Sequence, residues 1–213
     1  MSGVEVRATP AELRNLAILA RRAEGLDGGA LLRVQPREGT APRVFTTTPF
    51  GPFACRTIAI ETDDPSVCVR ADAVSAAVQA ADPEASVVQC GGAVAPWPGV
   101  LPPADGFTLL DMVPASVVVD LDDKAQAEAR TINTPLGPPA ALLDQEVLTV
   151  SNDEGLRAAV TTREIFALRR MGFVPDNPQS NEPVRISARG RWLRLDGRYG
   201  SVFSGGGFGI SVI

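Results

Sequence analysis

The chain has 213 residues, 45% of them hydrophobic and 21% charged, with a formal net charge of −5. That length can bury a core as one domain or as two of about 100 residues each, and no apolar run approaches the roughly 18 residues a spanning helix needs, so no membrane association is expected. Histidine is absent and Lys124 is the only lysine, which removes imidazole bases, catalytic triads and the commonest transition-metal ligand, and confines lysine chemistry to one residue.

The N-terminal MSGVEVRATPAEL lacks the apolar region of a signal peptide, so a cytoplasmic protein is expected. Thr9-Pro10-Ala11-Glu12 reads as a helix start, with a capping hydroxyl, a proline in the first turn and a glutamate three residues after the cap. Leu13, Leu16, Ala17 and Ala20 form its apolar stripe and Gly25 is its expected end. Four β-type runs follow, 31–35, 43–48, 55–61 and 67–70, separated by turns rich in proline and glycine. Asp72 is placed to cap a second helix through Val74, Ala77, Val78 and Ala81, and 86–90 suits another strand. Cys55, Cys68 and Cys90 are odd in number, widely spaced and set among apolar neighbours, which predicts buried small hydrophobes rather than disulfides or a zinc site.

The stretch 91–106, GGAVAPWPGVLPPADG, has no hydrophobic period and reads as a linker between an N-terminal half, 1–90, and a C-terminal half, 107–213. Within 114–130, Val117, Leu121, Ala125 and Ala129 recur every four residues, favouring helix over strand and placing Asp120, Lys124 and Glu128 as a charge ladder on the outer face.

From Leu142 to Pro175 the signals agree most closely. A strand at 147–150, a turn at 151–155 and a second strand at 156–160 lead into a helix that starts with a Thr161–Glu164 capping box. Ile165, Leu168 and Met171 form its apolar stripe, and Arg163, Arg169 and Arg170 are expected to face water. Gly172 supplies the left-handed residue after the helix, Phe173 folds back on Leu168, and Pro175 prevents continuation. The remaining sequence reads as strands: 184–188 and 191–195 joined by Arg189-Gly190, then an Asp196-Gly197 turn into 199–203 that would set Leu195 opposite Arg198, then a glycine-rich turn at 204–209 before 210–213.

Comparison of the halves sets Thr48-Pro49-Phe50-Gly51-Pro52 beside Thr134-Pro135-Leu136-Gly137-Pro138, each followed by a strand, an acidic turn, a short strand and a helix. LLDQEVLTV, the RMGF helix end and WLRLDGRYGSVF resemble an uncharacterised family of high-GC actinobacterial proteins, and the arginine-dominated basic residues fit that source. The family has no assigned activity, so the resemblance implies a source and a shared fold and carries over no functional residue.

Val117 to Asp123 offers an apolar run ending in Asp120, Asp122 and Asp123, the pattern by which phosphatases present a nucleophile and by which sugar-nucleotide transferases hold a divalent cation. No later lysine exists to hold a phosphate, and on a helix Asp120 and Asp123 would neighbour Lys124 on a solvated face. The 205–209 glycines precede too few residues for a phosphate-cradling helix start. Arg185, Arg189, Arg191, Arg194 and Arg198 against Asp196 give 183–213 a charge of +4, leaving −9 for the rest of the chain. Of these, Arg185, Arg191, Arg194 and Arg198, with Trp192 and Tyr199, are the candidate ligand-binding residues.

The expected fold is α+β: two related halves, each an antiparallel sheet with helices packed on one face. The favoured function is a noncatalytic interaction or assembly protein, self-associating or with a protein partner. The second reading is binding of a small anionic ligand or nucleic acid by the C-terminal Arg/Trp/Tyr sheet, although the acidic balance disfavours nucleic acid. The third is a divalent-metal enzyme using Asp120, Asp122 and Asp123. No cofactor is expected.

Overall fold

The computed structural model describes residues 3–91, 96–132, 139–177, 179–205 and 211–212. The chain divides into two compact units, Met1–Pro49 with Phe53–Ala104, and Phe50–Pro52 with Asp105–Ile213.

In unit 1 the first strand, β1 (Val4–Ala8), pairs antiparallel with both β5 (Ile60–Thr62) and β7 (Val87–Cys90). Its alternation turns Val4 and Val6 inward, a period-two signal too short to read as a strand from sequence alone. Helix α1 (Pro10–Leu26) begins where expected, with the Thr9 hydroxyl accepting the Glu12 N–H at 3.3 Å. It passes Gly25 and closes at Asp27, whose N–H still reaches the Ala23 carbonyl. A second antiparallel sheet has the order β6 (Cys68–Arg70), β2 (Leu31–Arg37), β3 (Thr40–Thr46), β4 (Phe53–Thr57).

Helix α2 (Ala71–Ala80) is not capped by Asp72: Arg70 holds the cap position, and Asp72, in the first turn, accepts a forked pair of bonds from its guanidinium at 3.0 and 2.6 Å. The three cysteines are free and buried, and burial pushes the Cys90 thiol up to about 11. The described part of the proline- and glycine-rich stretch, 96–106, is not a loose tether. Its Trp97 packs on Phe53 with ring centroids 4.9 Å apart, and the carbonyls of Pro102 and Ala104 accept bonds from Gln35 and Arg43 at 2.8 and 2.6 Å. The break between units therefore falls at Ala104, within the stretch expected to be a linker.

Unit 2 opens with β8 (Thr108–Pro114), then α3 (Ala115–Ile132), the short α4 (Ala140–Leu143), β9 (Glu146–Ser151), β10 (Leu156–Thr161) and α5 (Thr162–Arg170). The sheet β13-β12-β11-β8, formed with β11 (Pro183–Arg189), β12 (Trp192–Gly197) and β13 (Gly200–Gly205), is antiparallel throughout, and β14 (Ser211–Val212) pairs with β10 in the order β14-β10-β9. The α5 start is the capping box read from the sequence: the Thr161 N–H donates to Glu164 at 2.8 Å, and the Thr161 hydroxyl donates to the same carboxylate oxygen at 2.6 Å. Its end is a Schellman motif, with Gly172 at φ 66°, the Gly172 N–H on the Arg169 carbonyl and the Phe173 N–H on the Leu168 carbonyl.

Two expectations for this unit need correction. Arg169 and Arg170 do not simply face water; both turn toward Asp122 of α3, while Arg163 pairs with Asp144 at 2.6 Å. The β12–β13 hairpin does not turn at Asp196-Gly197 either, since Leu195 pairs with Val202 and Gly197 with Gly200, which leaves Arg198-Tyr199 as the turn. A Cβ on Gly197 would lie 2.5 Å from the Phe173 carbonyl oxygen, and one on Gly200 would lie 2.6 Å from the Phe173 ring, so these glycines serve a close approach rather than a hairpin bend. Both units thus contain a strand running through Thr-x-x-Glu into a helix, at Thr9–Glu12 and Thr161–Glu164. The repeat proposed at Thr134–Pro138 lies outside the described residues, as do 206–209 of the glycine-rich turn expected at 204–209, while Ser204 and Gly205 continue β13 instead of turning.

Candidate functional site

Strand alternation and register place the C-terminal arginines. Ile186, Leu195 and Val202 are fully buried on one face of the β11–β13 sheet. On the other face the cross-strand pairs are Arg185 with Asp196, Ser187 with Arg194, Arg194 with Phe203, and Asp196 with Ser201. From β8, Met112 stands opposite Arg185 and Leu109 opposite Ser187.

This second face holds a basin of about 420 Å³ lined by Phe107, Leu109, Arg185, Ser187, Arg194 and Asp196. Arg194 is fixed within it. Its Nε donates to Asp196 Oδ1 at 2.7 Å, and its guanidinium carbon lies 5.7 and 5.4 Å from the ring centroids of Phe107 and Phe203, which meet edge to face. Asp196 also accepts a bond from the Ser201 hydroxyl. Arg185 is exposed and has no hydrogen-bond or ion-pair partner among the described residues.

Of the six residues singled out in the sequence, the fold brings only Arg185 and Arg194 together here. Arg191 and Trp192 lie at the β11–β12 turn, with the Arg191 guanidinium 5.7 Å from the Trp192 ring. Gly205 approaches that ring so closely that a Cβ there would stand 2.5 Å away, so the indole is covered and does not offer an open stacking platform. Arg198 and Tyr199 occupy the opposite turn, where Arg198 pairs with Glu182 and lies over the Tyr199 ring. Sequence reading missed Phe107, Leu109, Ser187 and Asp196. The available signal was the apolar content of 107–113, five apolar residues in seven, masked by the proline- and glycine-rich stretch just before it.

The metal candidates diverge, because α3 turns about 100° per residue. Asp120 and Asp123 are exposed while Asp122 is fully buried. Among the described residues no group of three metal-ligating side chains converges. Asp122 accepts from Gln126 at 2.8 Å and lies 3.4 Å from the guanidinium nitrogens of Arg169 and Arg170. Burial pushes its carboxyl above the usual range, and the two arginines oppose that shift.

A larger cleft of about 630 Å³ opens at the start of α5, lined in part by Glu146, Arg163, Glu164 and Arg191. Its polar groups are mostly committed to the fold. Arg163 binds Asp144 and donates to the Phe50 carbonyl at 2.7 Å, holding the Asp144 carboxyl below its usual range, and Glu164 serves Thr161 and Ser204.

Residues 102–207 match the model of a family described as a domain of unknown function, DUF8185, and residues 4–99 match another such domain, DUF8010. No curated protein matches the sequence. Among solved structures, a putative DNA polymerase III beta subunit from Eubacterium rectale superposes with a TM-score of 0.57 at 11% identity, over 98% of this chain and 66% of that one. The Caulobacter crescentus DNA polymerase sliding clamp gives 0.54 at 15% identity (96% and 66% coverage), and that of Bacillus subtilis 0.51 at 9% (98% and 66%). The fold is sliding-clamp-like. At these identities the likeness concerns the fold alone, and this chain spans about two thirds of the length of each clamp chain. The α+β class with two related halves, expected from the sequence, is the class of this clamp-like fold.

Proposed function

We propose that this chain is a noncatalytic assembly and interaction protein of the cytoplasm, from the actinobacterial group its sequence resembles. The observation that carries the reading is the sliding-clamp-like fold across 98% of the chain. The charges on the helices favour protein partners over DNA. On α1 and α3, Arg14, Arg21, Arg22, Lys124 and Arg130 are balanced by Glu12, Glu24, Asp120, Asp123 and Glu128, and the α5 arginines are bound to Asp122 and Asp144. Affinity for a phosphate backbone grows with the number of cations free to displace counterions, and these helices have no surplus.

The partner we assign is a second copy, joined at β8. That strand pairs with β11 on one side and with no strand on the other among the described residues, and it exposes Leu109 and Met112. An edge of this kind presents unpaired backbone groups that another strand satisfies, and lysine is the usual protection against such pairing. Light scattering after size exclusion, at tens of micromolar by order of magnitude, should therefore give a multiple of the 22.3 kDa chain mass. Met112→Lys should shift it toward one chain without changing the circular dichroism. A wild-type protein that stays monomeric across that range would remove the self-assembly reading.

A further inference from the structure

The basin on the open face of the C-terminal sheet gathers two guanidinium groups, one carboxylate and one hydroxyl beside apolar carbon. Ser187, 7% exposed, forms part of its lining, with Arg194 opposite it on β12 and Arg185 two residues before it on β11. Arg194 is preorganised, since two rings and Asp196 fix the guanidinium plane before any ligand arrives. Asp196 is ion-paired with Arg194 and accepts the Ser201 hydroxyl, so among the described residues Arg185 is the basin charge without an ion-pair partner. A guanidinium fork matches two oxygens of a tetrahedral oxyanion, and the Phe107 and Leu109 side chains give the same basin an apolar wall.

We propose that this basin binds a phosphate monoester carrying a small apolar group, with Arg185 and Arg194 holding the phosphate and Phe107 and Leu109 covering the apolar part. Recognition is noncovalent, and the dianion is the bound form. Affinity should therefore rise with pH as the monoester loses its second proton near pH 6, an estimate for alkyl and aryl monoesters.

The test uses the full-length protein and phenyl phosphate, titrated by ³¹P NMR with inorganic phosphate, benzenesulfonate and phenol in parallel. Phenyl phosphate should bind more tightly than each of the others. Arg185→Ala should weaken it by on the order of tenfold, the loss expected for a charge-assisted pair, and Arg185→Lys should recover part of the loss because it keeps the charge and not the fork. Arg198→Ala, at the far turn and paired with Glu182, should have no effect. Arg185 is exposed, so these variants fold as the parent does, which thermal melts would verify. Equal binding by wild type and Arg185→Ala, or no phenyl phosphate binding up to about 10 mM, would overturn the proposal. So would a single-stranded DNA oligomer that outcompetes phenyl phosphate and is weakened equally by Arg185→Ala and Arg198→Ala, since that marks diffuse attraction to a polyanion. The two readings share β8, which carries Leu109 of the basin and Met112 opposite Arg185, so the variant that separates them is Arg185→Ala, which should weaken phenyl phosphate binding without changing the oligomeric state.

Discussion

Phe173→Ala should destabilise unit 2 by about 3–5 kcal/mol, the usual cost of emptying a fully buried phenylalanine site, as measured by urea unfolding. The side chain is 0% exposed, and it stands where three constraints meet. Its N–H closes the α5 Schellman motif on Leu168, and its carbonyl accepts the Tyr199 N–H at 3.1 Å. Its ring fills the space left by the missing side chain of Gly200. One residue thus joins the helix end to the hairpin. Gly200→Ala alone should cost about 1–3 kcal/mol through overpacking, because its Cβ would sit 2.6 Å from the ring. In the Phe173→Ala background that cost should largely vanish, since the clashing atoms are gone. Strict additivity of the two changes would show that ring and glycine are not packed against each other, and the account of the hairpin register would fall with it.

The same residues show why part of this fold could be read from sequence and part could not. The α5 start and stop depend on groups within a few residues of one another, so Thr161, Glu164, Gly172 and Phe173 declare themselves locally. Asp196-Gly197 gives an equally strong local hairpin signal, yet Gly197 and Gly200 face Phe173, more than twenty positions away in sequence, and tertiary packing sets the register instead. The helical period of α3 correctly showed Asp120 outside, but not that Asp122 would meet arginines from another helix. For the basin, two of its four polar or charged residues, Arg185 and Arg194, were legible as basic residues on neighbouring strands. Phe107 and Leu109 were not, because β8 follows directly on a stretch whose composition suggests a linker.

Asp122 carries the second large effect, and here the sign depends on which of two opposing forces wins. Burial raises the carboxyl's affinity for a proton, while Arg170 and Arg169 lower it from 3.4 Å, a longer reach than the 2.7–2.9 Å, approximately, of a strong charge-assisted bond. Burial dominates, so the folded-state pKa lies above the unfolded value. A carboxyl shifted that way binds its proton more tightly when folded. Its stabilising contribution is complete below the unfolded pKa of about 3.9 and is lost as pH rises through the higher folded value. Asp122→Asn removes this titration and can keep the bond to Gln126, so its stability relative to wild type should rise from about pH 4 upward and level off once the wild-type carboxyl has ionised. Asp122→Ala should instead cost about 2–3 kcal/mol at neutral pH, because it leaves the Arg169 and Arg170 N–H groups facing an empty site. Arg169 keeps its 2.9 Å bond to Asp176, which limits that loss. If wild type instead gains on Asp122→Asn as pH rises, the arginines outweigh burial, and the α3–α5 contact is held by an ion pair rather than in spite of a buried charge.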